Sequence, residues 1–80
     1  MKIKLKLPRV GMNMEEATIV AWHKLPGETF ANGEALYEFE TEKVTQVFEA
    51  SADGRLVEIC VPEGEEAQVG DVVCVVEVDQ

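Results

Sequence analysis

Histidine occurs once, cysteine twice and proline three times in the 80 residues, and aromatic side chains make up only 6%. One histidine and two separated cysteines, Cys60 and Cys74, supply no four-ligand zinc set, so no metal site is expected. Two cysteines are also too few for the disulfide framework on which small secreted domains rely. Both are expected as reduced thiols packed in or near strands. Basic residues are scarce: 7 Lys and Arg stand against 16 Asp and Glu, a net charge of -9. Nucleic-acid phosphates and anionic membranes would be repelled by such a surface. No apolar run approaches the roughly 18 residues that a membrane helix needs. No basic-then-apolar leader opens the chain.

What is present is a globular mixture, 46% hydrophobic and 29% charged, enough for one small domain over residues 1–80. The charge is segregated. The first nine residues carry Lys2, Lys4, Lys6 and Arg9 and no acid, and from Val10 onward three bases face sixteen acids. Lysines on an edge strand discourage aggregation, and the acidic remainder suits partners with a basic face. A chain this short seldom encloses a catalytic pocket. It reads as a module that serves partners.

The chain also repeats itself. Shifted by 37 residues, Gly27-Glu28 falls on Gly64-Glu65, Gly33 on Gly70, Glu34 on Asp71 and Glu40 on Glu77. Apolar positions follow: Ile19 on Leu56, Val20 on Val57, Trp22 on Ile59, Leu36 on Val73 and Phe39 on Val76. Two similar halves, neither able to bury a core alone, must pack on each other. Strands are expected at 18–24, 35–40, 45–49, 55–61 and 72–78, where β-branched and aromatic residues gather between turn signals at Pro26-Gly27 and Pro62-Glu63-Gly64. Gly27 and Gly54 are expected to supply turns through positive φ. The expected fold is all-β, a flattened eight-stranded barrel or sandwich (a barrel-sandwich hybrid) of two quasi-two-fold-related halves.

Two departures from the repeat point to function. Thr41-Glu42-Lys43-Val44 joins two strands, and Lys43 is the only Lys or Arg between Lys24 and Arg55. A single amine on a tight hairpin is what a covalent attachment point requires, and the repeat places it opposite the chain terminus. Glu40 and Glu42 beside it read as solvating residues rather than a catalytic carboxylate pair. The second departure is the segment from Pro8 to Glu16, longer than its counterpart Ser51-Ala52-Asp53 and carrying Met12 and Met14. Extra length with adaptable methionines suits partner recognition; equally, it suits a tolerated insertion. His23 and Trp22 read as strand residues.

Glu40-Thr41-Glu42-Lys43-Val44 is similar to the Glu-Thr-Asp-Lys-Ala motif around the modified lysine of lipoyl domains of 2-oxo acid and acetoin dehydrogenase complexes. These belong to the biotinyl/lipoyl attachment family. Gly27, sixteen residues before Lys43, and Gly54, eleven after it, match that family's glycines. Ala50-Ser51-Ala52-Asp53-Gly54 resembles its Ala-Pro-Ala-Asp-Gly, with Ser51 for the proline. Val10-Gly11-Met12-Asn13-Met14-Glu15-Glu16 resembles its opening loop.

The resemblance implies a non-catalytic carrier domain of a dihydrolipoamide acyltransferase, with lipoate in amide linkage to Lys43 and no catalytic residue of its own. Glu42 and Val44 would flank the site for recognition by a lipoate ligase or lipoyl transferase. Val10, Gly11, Met12, Asn13, Met14 and Glu15 would recognise partners. Those partners would be a thiamine-diphosphate-dependent decarboxylase, an acyltransferase core and a dihydrolipoyl dehydrogenase. The implied location is bacterial cytoplasm, or mitochondrial matrix if a leader has been removed. Biotin carriers share the fold but flank their lysine with methionines, where this chain has Glu42 and Val44. Two alternatives stand beside the lipoyl reading: a biotin carrier of a carboxylase, and an unmodified interaction module.

Overall fold

A computed structural model describes residues 1–9, 14–42 and 44–78. Eight strands are present and no helix among the described residues: β1 (Lys2–Lys6), β2 (Glu16–Trp22), β3 (Thr29–Phe30), β4 (Ala35–Glu40), β5 (Thr45–Glu49), β6 (Gly54–Ile59), β7 (Glu66–Gln68) and β8 (Val72–Val78). They form two four-stranded antiparallel sheets, ordered β1-β8-β6-β3 and β5-β4-β2-β7. The two sheets do not close into a barrel; they form a flattened sandwich. Exchanging β1 with β5, β2 with β6, β3 with β7 and β4 with β8 converts one sheet order into the other. The internal repeat is therefore a two-fold axis between the sheets.

That symmetry extends to single hydrogen bonds. Gly27 N donates to Leu56 O at 2.7 Å, and Gly64 N to Ile19 O at 2.7 Å. Each half thus closes its turn on the other half's strand, tying the two halves together. Gly27 and Gly64 sit at φ 96° and 90°, in the left-handed region where only glycine is unstrained. The swap of Glu34 for Asp71 is functional in the same sense. Glu34 Oε1 accepts from Ala31 N at 3.0 Å, and Asp71 Oδ2 from Gln68 N at 3.0 Å, each capping the turn after a short strand. Lys24 Nζ lies 3.0 Å from the other Glu34 oxygen. Donation from Ala31 and then the Lys24 amine hold the Glu34 carboxyl below its ordinary value.

Bulges also recur in register. The β2–β4 ladder slips at Val20 and the β6–β8 ladder at Val57; the β4–β5 and β1–β8 ladders slip opposite Leu36 and Val73. A bulge breaks the in-out alternation of a strand. It lets Leu36 and Tyr37, and likewise Val73 and Cys74, both turn inward and become fully buried. β2 and β6 end at Trp22 and Ile59, two residues short of the expected strands. His23 and Cys60 each make one more backbone bond, to Leu36 O and Val73 O, before the chain turns away towards a proline.

Among the described residues the core contains no buried charged residue and no buried polar one besides Tyr37, and symmetry mates compensate in size: Phe30 with Ala67, Leu7 with Ala50, Tyr37 with Cys74. Large side chains of one half fill what small ones leave in the other, as close packing demands. Tyr37 stacks on Phe48 with centroids 5.0 Å apart and packs against Trp22 at 4.9 Å. Trp22 Nε1 donates to Val61 O at 3.0 Å.

Gly54 departs from the sequence expectation. It is the first residue of β6, not a turn residue, and the described positive-φ glycines are Gly27, Gly33, Gly64 and Gly70. Its requirement is space. A Cβ there would lie 2.6 Å from the Glu77 carbonyl oxygen and 2.9 Å from Phe30 Cζ.

Candidate attachment hairpin

β4 and β5 pair through Tyr37↔Phe48, Glu38↔Val47, Phe39↔Gln46 and Glu40↔Thr45. Alternation along β4 buries Phe39 and exposes Glu40, so the hairpin is rooted in the core up to its last pair. Thr41 and Val44 then close it. Thr41 N donates to Val44 O at 2.8 Å, Val44 N donates to Thr41 Oγ1 at 3.2 Å, and Thr41 Oγ1 donates to Val44 O at 3.3 Å. Thr45 Oγ1 donates to Glu40 Oε2 at 3.4 Å. Only Glu42 and Lys43 lie between the closing residues. Lys43 lies outside the described residues; Glu42 and Val44 on either side are exposed, Val44 at 45%.

The register Thr18↔Glu40 lays the start of β2 beside the end of β4, and Thr18↔Glu66 adds β7 on the other side. Met14 and Glu15 therefore lead into the sheet next to the hairpin. Val10, Gly11, Met12 and Asn13 lie outside the described residues. Met14 does not offer itself to a partner as expected: it is 7% exposed and joins the core. Its apolar side chain gains more from burial in that cluster than from exposure. Glu15 is exposed, and its carbonyl accepts from Val69 N at 2.9 Å.

Sequence reasoning missed one electrostatic feature. Glu16 and Glu66 come together across β2 and β7, and a hydrogen bond with Glu66, reinforced by its like charge, raises the Glu16 carboxyl above its ordinary value. The repeat could not reveal it, because Glu16 falls on Asp53, in a loop. Among the described residues the remaining polar groups show no catalytic arrangement. His23 Nε2 lies 2.7 Å from Glu38 Oε2 on the surface. No group of three potential metal ligands occurs among the described residues. A surface cleft of about 620 Å³ carries Lys24 and Arg55, both already paired, with Glu34 at 3.0 Å and Glu77 at 2.8 Å. Cys60 is a free exposed thiol and Cys74 a free buried one, its pKa pushed up to about 12 chiefly by burial.

Comparison with known proteins agrees with this geometry. The biotin/lipoyl family, described as "Biotin-requiring enzyme", matches residues 3–79. The chain is 34% identical over 74 residues to the dihydrolipoyllysine-residue acetyltransferase component of the acetoin cleaving system of Bacillus subtilis, covering 92% of this chain and 19% of that protein. It is 38% identical over 71 residues to the succinyltransferase component of the 2-oxoglutarate dehydrogenase complex of Rickettsia conorii, covering 89% of this chain and 18% of that one. The chain thus spans about a fifth of the length of these relatives. Among solved structures, the lipoyl domain of the 2-oxoglutarate dehydrogenase complex from Azotobacter vinelandii superposes with a TM-score of 0.82 at 31% identity, over 98% of this chain and 99% of that one. A long-chain acyl-CoA carboxylase shares the fold at 22% identity and the same TM-score. A duplicated sandwich and an exposed hairpin closed by Thr41 and Val44 fit these matches: the chain is a member of the biotinyl/lipoyl attachment family, and within it a lipoyl domain.

Proposed function

We propose that Lys43 is the attachment lysine and carries lipoate in amide linkage, and that the domain serves the acyltransferase component of an acetoin or 2-oxo acid dehydrogenase complex. The observation that carries this reading is the hairpin closure. Thr41 and Val44 hold a loop of two residues on a strand pair whose base is locked by Phe39 and the Tyr37–Phe48 stack. A lysine in such a loop is presented from a rigid base, and rigid presentation beats a floppy tail for docking into another enzyme. The exposed flanks fit an amide-linked arm, since neither Glu42 nor Val44 would have to be displaced.

Amide formation joins the ATP-activated lipoyl carboxyl carbon to Lys43 Nζ, breaks the bond to the activating group, which leaves, and releases two protons from the ammonium, taking the formal charge from -9 to -10. Bound lipoate supplies a ring disulfide that accepts an acyl group together with two electrons. The protein contributes placement. Glu40 and Glu42 keep the hairpin solvated, and the aromatic base keeps it from folding back. In a complex, tethering raises the local concentration of the arm at each active site. The partners would be a thiamine-diphosphate-dependent decarboxylase, an acyltransferase core and a dihydrolipoyl dehydrogenase. Free Cys60 and Cys74 support a reducing compartment such as bacterial cytoplasm or mitochondrial matrix.

Incubation with a lipoate–protein ligase, lipoate and Mg-ATP, followed by intact mass, tests the reading. One lipoyl increment is expected, localised to the peptide with Lys43 and absent from Lys43→Arg. A biotin increment with a biotin ligase in its place, or a lipoyl increment that survives in Lys43→Arg, overturns it.

A further inference from the structure

The two-fold axis provides an internal control for the edges of the sandwich. β1 and β5 are equivalent edge strands, and their outward positions correspond through their partners: Lys2 with Thr45, Lys4 with Val47, Lys6 with Glu49. On β1 all three positions are exposed lysines, the device by which proteins keep an open edge from pairing with other chains. On β5 the lysines are missing. Val47 takes the central position at 47% exposure, and Val44, at 45%, lies just before the strand. Among the described residues the other exposed large apolar side chains are Met1 and Leu25, elsewhere in the chain.

The electrostatic setting differs as well. The strands of the β5 sheet carry Glu16, Glu38, Glu40, Glu49 and Glu66 and no lysine or arginine; those of the β1 sheet carry Lys2, Lys4, Lys6 and Arg55 against Glu58 and Glu77. Val47 lies opposite Glu38, whose carboxylate also meets His23, and Glu40, Glu42 and Glu49 border the two valines. One edge is protected and basic. Its equivalent is unprotected, apolar at its centre and rimmed by acids.

We propose that the β5 edge, centred on Val47 and Val44, is the docking site for the enzyme that modifies Lys43, and that this enzyme meets it with an aliphatic spot flanked by lysine or arginine side chains. The proposal rests on Lys43 being the attachment site. Desolvated aliphatic contacts at the centre provide affinity, and the acidic rim steers encounter and excludes acidic partners.

The test uses the whole 80-residue protein and a purified lipoate–protein ligase, with initial rates of lipoylation read by mass. Val47→Lys gives β5 the residue that its equivalent carries. It is expected to raise KM about tenfold, equivalent to about 1.4 kcal/mol, with kcat unchanged. Val47→Thr keeps the β-branched shape and so guards against misfolding; it is expected to raise KM about threefold, the loss of part of an aliphatic contact. Lys4→Val, the mirror change on β1, is expected to leave KM within about twofold, as surface changes away from a contact do. KM should also climb with ionic strength between about 0.05 and 0.5 M as the rim is screened. Normal modification of wild type with Val47→Lys and Val47→Thr both within about twofold of it overturns the docking edge alone. A wild-type chain that gains no lipoyl mass overturns the attachment reading and the docking edge with it.

Discussion

Gly54→Ala is the sharpest test of how the sandwich is held together. Gly54 pairs with Val78 on one side and Phe30 on the other. A methyl group there would stand 2.6 Å from the Glu77 carbonyl oxygen, 2.9 Å from Phe30 Cζ and 3.0 Å from Val78 Cγ1. Ordinary contacts lie near 3.5 Å, so the overlap with the oxygen is close to an ångström. That oxygen belongs to β8, which is paired on both sides, with β1 and β6. Moving it means disturbing two ladders at once. Overpacking of this kind costs about 3 kcal/mol, offset by about 0.5 kcal/mol from the reduced entropy of the unfolded chain. A net loss of about 2.5 kcal/mol is a large part of the roughly 4–12 kcal/mol expected for 80 residues. It corresponds to a fall in Tm of about 10–20 °C. Urea titration and thermal melts by circular dichroism, beside Gly64→Ala, would measure it. Gly64 has φ 90° and nothing within 4 Å of a built Cβ, so its loss should be only the left-handed backbone strain of about 1–2 kcal/mol. A Gly54→Ala loss below that of Gly64→Ala would refute the packing account.

Three further outcomes follow from particular side chains. Tyr37 is fully buried, its hydroxyl has no hydrogen-bond partner among the described residues, and burial holds its pKa well above the phenol range. Tyr37→Phe should therefore stabilise the fold by about 1 kcal/mol, and a melt showing clear destabilisation would mean that the hydroxyl is engaged. The folded state holds the Glu16 proton more tightly than the unfolded state, so this pair's contribution is lost as pH rises through the raised pKa. Glu66→Gln should lower the Glu16 midpoint in a carboxyl NMR titration and stabilise the protein at pH 7, with the gain fading below the unfolded pKa; an unmoved midpoint contradicts the coupling. A disulfide-exchange thiol reagent should titrate Cys60 alone in the native protein and both cysteines in denaturant, because burial suppresses the Cys74 thiolate; two fast native thiols would show that β8 opens readily.

How much was legible in the sequence depends on the range of the physics involved. The 37-residue repeat and the turn glycines are local signals, and local signals predicted the two halves, the 35–40 and 45–49 hairpin strands and the 72–78 strand as they occur. Even Glu34 and Asp71 were visible as a matched pair before their shared capping role was known. What the sequence could not determine are contacts between elements distant along the chain. Gly54 looked like a turn glycine because its neighbours Asp53 and Ala52 form a loop; only the arrival of β3 and β8 on either side shows that it lacks a side chain for want of room. Met14 looked like a contact residue, and only the packed sandwich shows that it belongs to the core. The Glu16–Glu66 pair and the bare β5 edge exist only once β2 meets β7 and the two-fold axis sets β5 against β1. Chain-local pattern determined the duplicated β-architecture and the lysine worth betting on. Tertiary packing decided which glycine is steric, which methionine is core and which edge is left open, because those depend on atoms brought together across the whole length of the chain.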